Sequence, residues 1–223
     1  MLSLLHALVT GARRRRGWHH VVILVRLLIG FAFLPAGIKK VLGQPFTDPS
    51  NSGPFHDFLH AFHATGGFYR FVGVVQLLAA LLLMTQRRAG LGAALAAPVL
   101  TAIVVFCWST MVVPTAIVAT LMWLGTLAVL AWELPRWWTP PGDPAAPRAT
   151  DDGLASPDLG AWAGCGLAVL ALYLAVSLAS GGVYRPRGMD TTDWRWWAIA
   201  LLPLLPVVTA LVARRRRRAT PEA

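Results

Sequence analysis

Three features of this chain predict an all-α, polytopic membrane helix bundle. Of its 223 residues, 56% are hydrophobic and only 13% charged, whereas a soluble domain carries about 25% charged residues. The apolar residues gather into six runs, at 21–42, 68–85, 91–108, 111–132, 159–180 and 196–213. Each is close to the roughly 20 residues that a bilayer-spanning helix needs. Finally, the arginines cluster beside those runs, with unbroken arginine at 13–16 and 214–218. The expected architecture is a four-helix core over 21–134, then two further spans within 159–213.

A net charge of +10 would suit a nucleic-acid partner, but its placement argues for another. Arginine clusters at the ends of apolar helices act as positive-inside signals and touch anionic lipid. The expected partner is therefore a bilayer with anionic headgroups, and no nucleic acid is expected.

Residues 1–20 form a basic N-terminal segment. Residues 1–10 are too short to span and precede the arginines, the reverse of a secretion signal's order. They are expected to lie at the interface as a helix or to lack structure, with Trp18 as an interface anchor. In the first span, Arg26, Gly30, Phe33, Gly37 and Lys40 recur at steps of four, three, four and three. Such residues share one helix face. Two charges and two glycines on one face mark the side that packs into a bundle, and Pro35 predicts a kink.

Turn formers crowd residues 48–54. An amphipathic helix over 55–65 then sets Phe55, Phe58, Leu59 and Phe62 on one face and His56, His60 and His63 on another. It is expected to lie on the membrane surface. The second span presents Tyr69, Gly73, Gln76 and Ala80 together. A basic turn, Gln86-Arg87-Arg88, leads to the third span, which contains Pro98 and Thr101. The fourth begins near Pro114 and ends at Glu133. The proline-rich stretch 135–158 reads as an exposed, poorly ordered cytoplasmic linker. The last two spans follow, the final one carrying Pro203 and Pro206 behind a belt of Trp194, Trp196 and Trp197. Residues 214–223 form a basic tail.

Six spans put both termini on one side. That side holds thirteen arginines: 13–16, 87, 88, 136, 148 and 214–218. The other side has Arg70, Arg185, Arg187 and Arg195, with Lys39 and Lys40 at its border. The positive-inside rule then assigns both termini to the cytoplasm and the histidine helix to the outside. Cys107 and Cys165 fall near opposite faces, too far apart for the about 7 Å Cα separation a disulfide allows. Both are expected to be small buried residues.

The first span resembles the opening of the DoxX family of small bacterial membrane proteins. The carrying residues are Arg26-Leu27, Phe33 and Gly37-Ile38-Lys39-Lys40, followed by GGFYRFVGVVQLLAALLL over 66–83, a basic turn and Gly90-Leu91-Gly92. The likeness covers about 21–134, the family's usual four-helix core. It implies residence in a bacterial inner membrane and an association with quinone or thiol redox systems, including a membrane redox partner protein. Gln76 stands where many members carry a glutamate. An amide carries no proton, so a proton relay is not expected here.

The candidate intramembrane polar face comprises Arg26, Gly30, Gly37, Lys40, Gly73, Gln76 and Glu133. Arg26 inside the bilayer costs free energy unless it snorkels or finds a partner, and Glu133 at the same end is the expected partner. Lys40 is expected to anchor at the outer edge or to reach toward Gln76, whose buried amide needs a hydrogen bond. His56, His60 and His63 share a face at i, i+4 and i+7, a spacing that suits metal or haem ligation; a solvated polar face is the simpler alternative. No Cys-x-x-Cys, Gly-rich phosphate loop or nucleophile motif is present. Three functions follow for comparison: an accessory or scaffold protein of a redox system, a permease for a small or lipid-like molecule, and a haem- or metal-binding oxidoreductase. Quinone and haem are the cofactors these imply.

Overall fold

The computed structural model describes residues 2–137, 158–183 and 192–219, with side chains described as far as Arg215. The described chain is helical without strands, an all-α polytopic bundle. Its helices are α1 (Leu2–Arg13), α2 (Arg16–Val41), α3 (Pro54–Ala64), α4 (Gly67–Met84), α5 (Ala89–Ser109), α6 (Val113–Trp137), α7 (Leu159–Ala179), α8 (Trp194–Ala200) and α9 (Leu204–Ala219). Five of these, α2, α4, α5, α6 and α7, are long and apolar enough to cross a membrane. Most of the expected linker, 138–157, lies outside the described residues.

Helices α2, α4, α5 and α6 close into a ring, each packing on the next and α6 returning to α2. Small residues set how closely they approach. A Cβ on Gly73 would stand 2.7 Å from Lys40 Cβ and 2.9 Å from the Gly37 carbonyl. A Cβ on Gly37 would meet Leu77 at 2.8 Å and the Gly73 carbonyl at 3.1 Å. These are backbone approaches that a methyl group would force apart, the packing expected where lipid supplies no drive between helices. Gly92 repeats the device between α5 and α4, its Cβ position 3.0 Å from the Ala79 carbonyl. Indole N–H groups tie α5 to α6: Trp123 Nε1 donates to Thr101 Oγ1 at 2.9 Å and Trp108 Nε1 to Thr120 Oγ1 at 3.1 Å. Helix α7 seats outside the ring on α2 and α4, with Gly166 against the Met84 carbonyl and Tyr173 edge-on to Phe31.

The structure corrects two expectations, the last span as a single helix and the limits of two other helices. The last span is not one helix: α8 and α9 meet at a 43° bend. Pro203 lies in the break and cannot donate to a helix ladder, while Pro206 sits in the first turn of α9, where no donor is needed. The N-terminal segment, expected as an interfacial helix or a stretch without structure, is helical and packs on the bundle. Helix α1 packs on α6 and α2, burying His6, Val9 and Arg13. The first span starts at Arg16 rather than 21 and passes through Pro35 as one helix. Helix α6 likewise runs past Glu133 to Trp137, into the expected linker. Cys107 and Cys165 are both buried and unbridged.

Candidate functional site

The most concentrated polar chemistry lies at the end of the bundle where α2 begins and α6 ends. Arg26 is 4% exposed and stands about 15 Å along α2, ten residues from its start at about 1.5 Å each. Its Nη2 donates to Glu133 Oε1 at 2.5 Å, and its Nη1 donates to Gln86 Oε1 at 3.2 Å. Glu133 is 3% exposed. Its second oxygen, Oε2, accepts from Arg136 Nη1 at 2.9 Å. Gln86 is 1% exposed and holds a left-handed backbone at φ 61°. Its Nε2 donates back to the Met84 carbonyl at 3.4 Å. One carboxylate, two guanidiniums and one amide thus join α2, the α4–α5 turn and α6.

Sequence reasoning missed Gln86. In the sequence it belongs to a basic turn with Arg87 and Arg88, which are not buried. The positive φ turns its side chain inward, and nothing in the local sequence signals that backbone state. Arg13 was likewise counted only as a topology signal. It is buried, its Nη2 donates to the Trp132 carbonyl at 2.7 Å, and its guanidinium lies 5.4 Å from the Trp132 ring centroid. His19 Nε2 in turn donates to the Arg13 carbonyl at 2.7 Å. The Arg13 contacts bind α1 to α6, and the His19 bond ties α2 to α1.

The opposite end has a different character. Lys40 is 7% exposed. Its Nζ donates to the Ala36 carbonyl at 3.4 Å and lies 4.5 Å from the Phe46 ring centroid and 5.9 Å from that of Tyr69. It does not bond Gln76. Aromatic faces hold the ammonium instead, an electrostatic contact that strengthens away from water. Gln76 is 1% exposed, and its Oε1 takes no hydrogen bond among the described residues. Gly30, Gly37 and Gly73 all serve the α2–α4 contact; the Cβ position of Gly30 falls 2.5 Å from Met84 Cγ and 3.2 Å from the Ala80 carbonyl.

The three histidines are engaged in holding the loop before α3. His63 Nε2 donates to the Gly43 carbonyl at 2.9 Å and His60 Nε2 to the Asn51 carbonyl at 3.1 Å. His56 Nδ1 and Thr47 Oγ1 lie 2.6 Å apart. A metal at either Nε2 would have to displace a hydrogen bond. Among the described residues no three of His, Cys, Asp or Glu are grouped to hold a metal ion. The opposite face of α3 does not simply face lipid: Phe55 and Phe58 pack on Phe106 of α5, with centroids 5.2 Å and 4.4 Å away. Phe62 meets Tyr69 and Phe68 of α4. Tyr69 Oη completes this cap by donating to the Gln44 carbonyl at 2.8 Å.

Comparison with protein-family models, curated proteins and solved structures finds no match to this chain.

Proposed function

We propose that this multi-pass membrane protein is a DoxX-type accessory or scaffold component of a quinone- or thiol-linked redox system in a bacterial inner membrane. The observation that carries the scaffold reading is where the bundle's charges go. Glu133 stands between Arg26 and Arg136, pairing with both across α2 and α6, and Arg13 donates to the Trp132 carbonyl. Buried ionic groups joined in this way hold helices in register. The redox link rests on the helix-one pattern of Arg26, Phe33, Gly37 and Lys40. Orientation follows from the arginine distribution, with both termini cytoplasmic.

The test is crosslinking of the full chain in its native membranes, followed by isolation in mild detergent and identification of what comes with it. A membrane redox enzyme is the expected companion, and its absence in repeated isolations refutes the reading. An absorbance spectrum of the same material settles the oxidoreductase alternative, since a haem band would favour it.

One observation favours a second reading, a permease for a small or lipid-like molecule. The Gln76 carbonyl oxygen is buried within α4 and takes no hydrogen bond among the described residues. Polar groups so placed in spanning helices commonly serve a transported species. Uptake into proteoliposomes that Gln76→Ala and Lys40→Ala both reduce would support it. Uptake unchanged by both removes the path.

A further inference from the structure

At the end of the bundle that holds the Arg26–Glu133 pair, α1 does not seal against α2 and α6. A groove of about 270 Å³ remains between them, with Leu8, Val9, Trp18, Val22, Val25 and Val129 among its walls. Val9, Val22 and Val129 are buried at its floor, whereas Leu8 and Trp18 are 64% and 51% exposed at its rim. The volume is near the roughly 300 Å³ at which ligand pockets begin. Its walls are carbon but for the indoles, so water gains little there. Two walls belong to helices long and apolar enough to cross a bilayer, so an occupant from the acyl region can enter from the side.

The chain also provides for a headgroup. Ala12 and Trp18 both line the groove, so the arginine turn between them crosses its end. Arg13 faces inward onto Trp132. Arg14 and Arg15 are exposed, and two cations beside an apolar slot complement an anionic amphiphile. A neutral apolar molecule would leave the arginines unused, and a soluble anion would leave the groove empty. We infer that this groove binds one acyl chain of an anionic phospholipid drawn from the bilayer, with its phosphate against Arg14 and Arg15. The inference is independent of the redox reading above.

The experiment uses the full chain reconstituted in phosphatidylcholine nanodiscs containing a minor fraction of lipid brominated on its acyl chain. The brominated lipid is either phosphatidylglycerol or phosphatidylcholine at equal mole fraction. Trp18 emission is isolated as the difference from a Trp18→Phe variant. The expected result is a preference of about thirty-fold for phosphatidylglycerol in quenching Trp18, taking about fivefold for each of the two arginines near the phosphate. Arg14→Gln with Arg15→Gln should abolish the preference. Ala128→Phe, at an exposed position on the groove wall, should reduce Trp18 quenching by phosphatidylglycerol while leaving the arginines in place. Both sets of changes lie at exposed positions and leave the buried core intact. Equal quenching by the two lipids overturns the inference. So does absence of quenching by either, which would mean that protein, such as a second copy of the chain, covers the groove. A preference untouched by Ala128→Phe also overturns it, because the arginines would then gather lipid without the groove.

Discussion

Glu133→Gln should be among the most damaging single-atom changes available in this protein. The substitution keeps the shape and removes one charge from a residue 3% exposed. Arg26, 4% exposed, then retains the neutral Gln86 carbonyl oxygen at 3.2 Å and a neutral amide. Breaking a buried ion pair from one side costs about 3–5 kcal/mol, because the remaining charge stays desolvated. The Arg136 contact adds little, since that side chain is one-third exposed and exposed pairs are worth about 0–1 kcal/mol. A loss of about 3 kcal/mol is expected. Arg26→Met should cost a comparable amount by stranding the carboxylate. The double variant should recover much of it, because it removes both charges of the pair and strands neither. The assay is equilibrium unfolding of the purified chain by titration from a mild detergent into a denaturing one, read by helical circular dichroism. The coupling energy of the double-mutant cycle is expected at about 2–3 kcal/mol. Additivity of the two single changes to within about 0.5 kcal/mol would refute the view that this pair clasps α2 to α6.

Three further outcomes follow from the geometry. Gly73→Ala should destabilise by about 1–3 kcal/mol, the usual cost of overpacking, because its Cβ would meet the Gly37 carbonyl at 2.9 Å. Gly67→Ala, with nothing within 4 Å, should not, and the same unfolding titration compares them. His63→Ala frees the Gly43 carbonyl and should raise the rate of amide exchange in residues 43–53, at a cost of about 1 kcal/mol; unchanged exchange would show that the bond does not hold the loop. Gln76→Leu should be neutral or stabilising by the same titration, since it removes a buried acceptor that makes no hydrogen bond. A clear loss of stability would mean that Gln76 is satisfied by something bound to the bundle.

The pairing of Arg26 with Glu133 was legible from linear sequence because it needs only two facts. A guanidinium inside an apolar run demands a counter-charge, and Glu133 was the available carboxylate at the same end. The small-residue contacts of Gly30, Gly37 and Gly73 were legible for a similar reason: periodicity of about 3.6 residues assigns each to a face before any fold is known. Gln86 was not legible, because its role depends on a left-handed φ within a turn, and turn conformation is set by how α4 and α5 are tied together. Lys40 was placed on the correct face, but its occupants, Phe46 and Tyr69, come from a loop and another helix. The spacing of the histidines on α3 suggests ligation, whereas their bonds go to the 43–51 loop, to two backbone carbonyls and the Thr47 hydroxyl, partners that helical periodicity does not see.

Hydropathy, residue periodicity and charge placement alone determined that the chain is a polytopic helical bundle, which segments form its long helices, and which faces of them pack. These are properties of the solvent and of single helices, so they are written locally. Only the tertiary structure decided that α1 docks on α6, that the last apolar run bends by 43°, and that Gln86 joins the Arg26–Glu133 pair. Each depends on groups distant in the chain meeting where polar atoms need partners and backbones can approach, and no local pattern encodes that meeting.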